Sequence, residues 1–405
     1  MLIKNAIVCD VDGERESDIL IENGFISKIG TNLSSEDSID ANGSYFMPLL
    51  VDTNVRLLDS TLNSKNIKNL SKEALKGGVG HIVLNADSTP AIDNEVVLEF
   101  AQHSLNSLDG AKVDLMLNSL KEDMTLTDIA ILLKKGVIAP YMSTIAKNNL
   151  AIKIAQYVQM YDVTLFCKAE DNSMINSGVM LEGDVSSELG LAGIADLSEI
   201  LHVSRMIEIA KYFNIRILFK SISSPRSISL INSAKKDGVN VSCEVSLTHL
   251  TLSDQECEGF NTLAKINPPL AMQDDVLKLQ KALQNGQIDI LTTLHKPHSL
   301  VNKEVAFYDA AYGSAEICNA LSLYYTYLVK TEFISMQELV KLTVQNPAKA
   351  IGKNEGELNL GDEINIVIFN PNITSEVTNK QSLYNEKILQ GKVTHLVTKE
   401  KVHQF

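Results

Sequence analysis

Two hydrophobic periods alternate through the middle of this 405-residue chain, and this alternation constrains the fold more than any other feature. Short runs of apolar and β-branched residues, typical of buried strands, recur eight times, at residues 49–57, 79–84, 112–117, 137–141, 163–168, 215–220, 239–245 and 288–293. Stretches with helical spacing lie between them, at residues 65–76, 94–105, 126–135, 144–160, 197–213, 224–236 and 274–284. Eight strand–helix units over roughly 250 residues predict an α/β fold with a TIM-like (β/α)8 barrel. An open doubly wound sheet is the alternative, but its glycine fingerprint, GxGxxG, is absent.

The two ends of the chain differ from the middle, because both are rich in short strands. Near the N-terminus, residues 18–29 read as two alternating strands joined by Asn23-Gly24, a strong hairpin signal. Near the C-terminus, residues 364–369 read as another strand. We predict that residues 1–48 and 356–405 together form a small β-sandwich domain, and that residues 49–355 form the barrel.

The charge and the cysteines exclude several classes of protein. With 36 Lys and Arg against 50 Asp and Glu, the formal charge is 36 − 50 = −14, which argues against nucleic-acid binding without a basic patch. The start of the chain has no signal-peptide pattern, and no apolar run reaches the ~18 residues of a membrane span, so we expect no membrane association. The five scattered cysteines never have CxxC spacing, which favours a reduced, cytoplasmic protein without a thiolate metal site.

Eight segments resemble, in order and at similar spacing, the landmarks of the dihydroorotases of the amidohydrolase superfamily. They are DILIENGFISKIG, IDANGSYFMPLLVD, KGGVGHIVLNADSTPAIDN, KAEDNSM, GVMLEGDVSSELGLAGI, KINPPL, TTLHKPH and LTVQNPAKAIG. The resemblance runs from about residue 2 to about residue 397. It implies a barrel with a β-sandwich built from both termini. It also implies an ancestral chemistry in which zinc at the C-terminal mouth of the barrel hydrolyses a cyclic amide of pyrimidine biosynthesis.

The positions of the family's zinc ligands carry residues that do not bind zinc. The His-x-His motif at the end of the first strand stands here as Asn54-Val55-Arg56, the fifth-strand His is Lys168, and the eighth-strand Asp, both ligand and general base, is Leu294. The fourth-strand ligand falls near Met142 or Ser143, and the sixth-strand histidines fall near Leu218 and Ser221. We therefore predict no binuclear zinc centre, no cofactor and no catalytic residue. Zinc is expected only if this interpretation is wrong.

Part of the family's substrate-binding apparatus remains. The resemblance assigns vestigial substrate-binding positions to Asn267, His298, Tyr312 and Gly313. The Arg that grips the substrate carboxylate is replaced by Leu58, and the Asn after the second strand is replaced by Asp87. An acid facing an anionic substrate predicts poor binding of dihydroorotate.

Two cations, Arg56 and Lys168, are expected at the mouth of the barrel. They form either an anion site or, as we favour, a structural replacement for the metal that pairs with Asp52, Asp59, Glu170 or Asp171. The pair His295 and His298 could suggest a metal site, but two histidines do not supply a tetrahedral set, and packing roles are favoured.

The function predicted first is that of a non-catalytic, dihydroorotase-like structural or regulatory subunit. By resemblance to bacterial chains without the zinc ligands, its partner would be the aspartate carbamoyltransferase catalytic chain, and we expect a homo-oligomer. One alternative is a diverged amidohydrolase that acts on a cyclic amide or ureide with His295 or His298 as its base. The other alternative is a sensor that binds a pyrimidine precursor through Arg56, Lys168, Asn267 and His298 without turnover.

Overall fold

The first 48 residues form strands of a mixed β-sheet. The structure is a computed structural model that describes residues 1–106, 108–143, 146–399 and 401–405. Its first strands are β1 (Leu2–Asp10), β2 (Gly13–Glu22), β3 (Phe25–Gly30), β4 (Ser38–Asp40) and β5 (Tyr45–Pro48). The predicted hairpin is confirmed: Asn23 and Gly24, with φ of 54° and 81°, form the two-residue turn between β2 and β3. Positive φ at both positions is what such a turn requires.

A second sheet of eight strands forms the barrel, and each run predicted as a barrel strand contains one of them. All neighbouring strands are parallel and follow the order β6-β7-β8-β9-β10-β13-β14-β15. The short β11 and β12 form a separate ladder. The bounds are β6 (Leu50–Val55), β7 (Val79–Leu84), β8 (Lys112–Asn118), β9 (Ala139–Met142), β10 (Thr164–Lys168), β11 (Met180–Leu181), β12 (Gly193–Ile194), β13 (Arg216–Lys220), β14 (Val241–Ser246) and β15 (Ile290–Thr292).

Helices connect the barrel strands, as the alternation predicts. Within the described residues they are α1 (Ser64–Lys76), α2 (Glu95–Leu105), α3 (Ile129–Lys134), α4 (Asn148–Tyr161), α5 (Asp184–Leu189), α6 (Leu197–Phe213), α7 (Pro225–Lys236), α8 (Leu247–Thr251), α9 (Gln273–Gln284), α10 (Ala320–Tyr324), α11 (Met336–Val340) and α12 (Asn346–Ala350). The start of the helix predicted over residues 144–160 lies outside the described residues. No helix in the described part of the chain has the length and apolar character needed to cross a membrane.

The last strands return to the first sheet. They are β16 (Asn365–Glu376), β17 (Ile388–Thr398) and β18 (Val402–Gln404). The sheet order is β18-β17-β16-β5-β1-β2-β3, with β4 paired to β1. Strand β16 lies antiparallel beside β5, so the two termini share one sheet, as predicted.

Side-chain alternation along β16 gives this sheet two buried faces. Ile366 and Ile368 belong to a small cluster with Ile3 and Val8 of β1, whereas Val367 and Phe369 belong to the large core of the barrel. Successive side chains of a strand point to opposite faces, so one face of the sheet packs on its own core and the other packs on the barrel. The terminal sheet thereby fixes the barrel from one side.

Hydrogen bonds between the first and last strands close the barrel. The Asp52 carboxylate accepts from the hydroxyls of Thr292 (2.6 Å) and Thr293 (2.5 Å). Beyond the strand ends, the Arg56 N–H donates to the His295 carbonyl (2.8 Å). Both ends of the eight-stranded sheet therefore meet at the position where the candidate site lies.

Candidate functional site

The barrel brings the predicted positions together at the carboxyl ends of its strands. Asn54 lies near the end of β6 and Arg56 just beyond it, Lys168 is the last residue of β10, and Leu294 follows β15. Asn54 is fully buried and Arg56 is 8 % exposed. In a parallel barrel these ends form the face on which active sites are built.

The Asn54 side chain is saturated with hydrogen bonds. Its Nδ2 donates to Ser221 Oγ (2.6 Å) and Glu244 Oε1 (2.6 Å). Its Oδ1 accepts from Arg56 Nη1 (2.9 Å) and Asn85 Nδ2 (2.8 Å). A carboxamide offers two N–H donors and two oxygen lone pairs, so all four are in use. No lone pair of Asn54 is left for a metal ion.

A buried ammonium group, which the sequence reasoning missed, occupies the interior beneath the mouth. Lys220, the last residue of β13, donates from Nζ to the Thr53 carbonyl and to Asn85 Oδ1 (2.9 Å). The same Nζ lies 5.3 Å from the ring centroid of Phe166 and 5.8 Å from that of Tyr141. Burial lowers the pKa of Lys220 to about 8.

Glu244, also missed, supplies a negative charge close to this lysine. Its carboxylate accepts from Thr53 Oγ1 (2.5 Å), from Asn54 and from the Ser221 backbone N–H (3.2 Å). A lysine and a glutamate within strands six and seven were the available signals, because an inward-facing charge in an otherwise apolar barrel strand needs a partner. The sequence reasoning had placed lost ligands near Leu218 and Ser221 and had not considered the neighbouring Lys220.

Arg56 has a different partner from those expected. Its Nε donates to both oxygens of Asp87 (3.1 and 3.0 Å), and its Nη2 donates to the Tyr141 hydroxyl (3.2 Å). Burial raises the pKa of Asp87, but Arg56 outweighs this together with other nearby cations, so the pKa lies below its ordinary value. The expectation that Arg56 pairs with Asp52, Asp59, Glu170 or Asp171 is wrong, because β7 adjoins β6 and brings Asp87 beside it.

Lys168 pairs with one of the four expected acids. Its Nζ lies 2.7 Å from Glu170 Oε1, and Glu170 Oε2 also accepts from Asn267 Nδ2 (2.7 Å). A third cation, Lys296, comes close to this group, and burial together with Arg56 lowers the pKa of Lys296 to about 8. Sequence reasoning missed Lys296, which lies between the two histidines it considered.

Leu294 provides only hydrocarbon at the position where the family has its acid. The residue is 6 % exposed and has a φ of 53°, a left-handed conformation that is unfavourable for a leucine. Its backbone N–H donates to Thr292 Oγ1 (3.1 Å). A leucine side chain can neither bind a metal nor exchange a proton.

The two histidines beyond β15 have distinct surroundings. His298 contacts Asp59 Oδ1 through Nδ1 (3.1 Å) and the Tyr312 carbonyl through Nε2 (3.0 Å). His295 accepts the Ile317 N–H at Nδ1 (3.3 Å), so its Nε2 carries the hydrogen, and this buried N–H has no partner within the described residues. Burial lowers the pKa of His295 to about 3, which keeps the ring neutral. An unpaired buried donor costs about 1–3 kcal/mol.

The remaining vestigial positions serve packing and hydrogen bonding. The Tyr312 hydroxyl donates to the Gly178 carbonyl (3.2 Å). Gly313 has a φ of 141°, and a Cβ there would lie 2.3 Å from the Lys296 carbonyl oxygen. Near the fourth-strand position, Met142 is buried and Ser143 donates to Asn118 Oδ1 (3.0 Å). Asn267 retains an Oδ1 that is buried and without a partner among the described residues.

The donor set does not fit zinc. Within the residues that the structure describes, no three or more His, Cys, Asp or Glu side chains are arranged to hold a metal ion. The positions that the family uses present a saturated amide, a paired guanidinium, a paired ammonium group and a leucine. Zinc needs several nitrogen, sulfur or carboxylate donors with free lone pairs.

The closed parallel barrel, the sheet built from both termini and the site at the carboxyl ends of the strands define a protein of amidohydrolase type. No family model matches the chain. Over 98 % of its length it is 33 % identical to a dihydroorotase of Ruminiclostridium cellulolyticum, of which it covers 96 %. It is also 34 % identical to a dihydroorotase of Thermoanaerobacter sp., over 92 % of this chain and 88 % of that relative. The chain therefore belongs to the dihydroorotase family.

Solved structures show the same architecture. The L-hydantoinase (dihydropyrimidinase) of Arthrobacter aurescens superimposes with a TM-score of 0.88 at 22 % identity, covering 99 % of this chain and 95 % of that one. The dihydropyrimidinase of Brevibacillus agri gives a TM-score of 0.84 at 18 % identity, covering 99 % and 94 %. At these identities the likeness establishes the fold, a barrel with a sheet from both termini, as predicted.

Proposed function

We propose that this dihydroorotase-family chain works without a zinc centre, as a non-catalytic structural or regulatory subunit that assembles with the aspartate carbamoyltransferase catalytic chain. The observation that carries the first part is the saturated Asn54 amide, joined to the Arg56–Asp87 ion pair at the position of His-x-His. The partner is proposed from the sequence resemblance to zinc-lacking chains of that kind.

The charges around the mouth support a metal-free role. A zinc ion placed there would face Arg56, Lys168 and the neighbouring Lys296. At about 4 Å and an effective dielectric constant of about 20, a dication and a monocation repel by about 8 kcal/mol. Asp87 and Glu170 offset part of this repulsion, but each already has a cation of its own.

The surroundings of the two histidines favour this proposal over a rebuilt hydrolase. A general base needs a free nitrogen within reach of a substrate proton. Both nitrogens of His298 are engaged, and the only acceptor nitrogen of His295 is used by the Ile317 N–H.

The same contacts weigh against a precursor sensor built from the four residues named for it. Arg56 is paired with Asp87, Lys168 and the Asn267 amide nitrogen both contact Glu170, and His298 contacts Asp59. Binding an anion through these groups would require breaking internal contacts first.

One preparation tests the proposal. The chain is co-expressed with the aspartate carbamoyltransferase catalytic chain of its own source, and the complex is isolated through a tag on either partner. We expect a stable complex, well under one zinc per chain by elemental analysis, and no dihydroorotate hydrolysis. A dihydroorotase that contains His-x-His, prepared in parallel, is the positive control for zinc and turnover.

The outcomes separate the two parts of the proposal. Stoichiometric zinc or measurable hydrolysis by the isolated chain would refute the non-catalytic role. Elution of the two chains as separate species at micromolar concentration would refute the assembly. The mass of the isolated chain by light scattering tests the expected homo-oligomer.

A further inference from the structure

A small cavity lies beside the inherited mouth, between the end of β6 and helix α1. Its volume is about 180 Å³, room for a molecule of a few heavy atoms. Arg56 and His295, both buried, contribute to its wall together with Leu58. None of the vestigial substrate residues Asn267, His298, Tyr312 and Gly313 belongs to its lining, so the cavity is distinct from the site that the family resemblance assigns.

The wall contains hydrogen-bond donors that lack acceptors. The hydrogen of His295 is on Nε2, because Nδ1 accepts from Ile317, and that buried N–H has no partner within the described residues. Nη1 and Nη2 of Arg56 each carry two hydrogens, and one on each is used, for Asn54 and for Tyr141. A ligand oxygen at this wall would therefore meet donors whose bonds are otherwise unmade.

The exposed side of the cavity offers acceptors and amide groups. Glu73 and Asn69 of α1 line it, as does Gln381 from the segment before β17. The side-chain amides of Asn69 and Gln381 make no hydrogen bond to any described residue. A ligand that carries N–H groups as well as an oxygen would be matched on both sides.

The charges select a neutral ligand over an anion. The positive charge of Arg56 already has Asp87 as its counter-ion. An incoming carboxylate would also face the carboxylate of Glu73 across a cavity of this size. A neutral molecule with a carbonyl oxygen and N–H donors meets neither obstacle.

We propose that this cavity binds a small neutral amide or ureide. Its carbonyl oxygen accepts from His295 Nε2–H and from an Arg56 Nη hydrogen, and its N–H groups face Glu73. The inference concerns a site outside the family's metal and substrate positions, and it stands whether or not the chain assembles with a carbamoyltransferase. For a ligand of about five heavy atoms, the affinity attainable corresponds to a Kd on the order of millimolar.

The test observes the His295 N–H directly in the full chain. Protein labelled with ¹⁵N-histidine is titrated with N-methylurea and, separately, with sodium acetate, which is of similar size but charged. We expect N-methylurea to shift the His295 Nε2–H resonance saturably and acetate to leave it unchanged. The resonance of His202, which is also buried but does not line the cavity, serves as an internal reference. The His295 signal is assigned by its loss in His295→Phe.

A pair of tryptophan variants provides the control. Leu58→Trp places a large ring at the cavity wall and should weaken N-methylurea binding at least tenfold. Leu277→Trp places the same ring on an exposed position of α9, away from the cavity, and should leave binding unchanged. These positions are 37 % and 53 % exposed, so both variants retain the core.

Each alternative outcome overturns the proposal. A shift with acetate but not with N-methylurea would show an anion site instead of an amide site. No shift with either probe would show that the cavity holds water only. Equal binding by the two tryptophan variants would place the ligand elsewhere.

Discussion

The Arg56–Asp87 ion pair is expected to stabilise the barrel mouth far more than the Lys168–Glu170 pair does. Arg56→Met removes the guanidinium from Asp87 and also from Asn54 and Tyr141. Lys168→Met removes a single contact, and Glu170 retains Asn267 as a donor. Methionine keeps an unbranched apolar stem at both positions, so packing changes little.

The magnitude follows from burial. The side chains of Arg56 and Asp87 are 10 % and 27 % exposed, and removing one member of a largely buried pair costs about 3–5 kcal/mol. Lys168→Met should cost about 1 kcal/mol, because its partner keeps another donor. With an unfolding entropy of about 2.1 cal/mol/K per residue over 405 residues, 4 kcal/mol lowers Tm by about 5 °C and 1 kcal/mol by about 1 °C.

Calorimetry and urea unfolding of matched variants measure this difference. Arg216→Met is the control, because its ion pair with Asp162 is solvent-exposed, at 48 % and 87 %, and should contribute under about 1 kcal/mol. Arg56→Met combined with Asp87→Asn should recover part of the loss, since no uncompensated carboxylate remains. If Arg56→Met melts within a degree of Arg216→Met, the mouth is solvated and the reasoning fails.

Three further outcomes are expected. Asn54→His combined with Arg56→His should give neither zinc binding nor dihydroorotate hydrolysis in metal and turnover assays, because Lys168, Leu294 and the filled interior remain; measurable turnover would show that other ligands exist. Incubation with EDTA followed by desalting should leave Tm unchanged, whereas a fall restored by zinc would reveal a structural metal. The free energy of unfolding of the parent relative to Lys220→Met should rise between about pH 8 and pH 10.5. In that window the unfolded chain holds more protons than the folded one, since burial lowers the folded pKa of Lys220 from 10.5 to about 8. A flat difference in urea unfolding across this window would contradict that pKa.

The barrel could be predicted because its signal is repeated and local. Each apolar run contains an observed strand, and the shared terminal sheet follows from strand patterns at both ends. Helix α3 is shorter than the predicted stretch 126–135 because tertiary contacts override its start. Leu126 bridges to Leu120, and the Thr127 N–H donates to the Ser119 carbonyl, which holds these residues outside the helix.

The site could be predicted only in part, because its contacts join residues distant in sequence. The loss of His-x-His is visible in the sequence, but the partner of Arg56 depends on which strand lies beside β6. Asp87 follows β7, the neighbour of β6, so a barrel order applied to the residues after each strand would have indicated this pair. The expected acids were chosen by their nearness in sequence to Arg56 and Lys168.

The interior network explains why a zinc site could not be recovered by one substitution. Asn54 links β6 to Ser221 and Glu244, Lys220 links β13 back to β6 and to Asn85, and all these groups are buried. Replacing any one member leaves a buried donor or acceptor without its partner, at about 1–3 kcal/mol for each neutral group. A charged member left alone costs more. Restoring metal ligands would therefore require changes at several strands together, since each intermediate with a single change is less stable than the network that now fills the barrel.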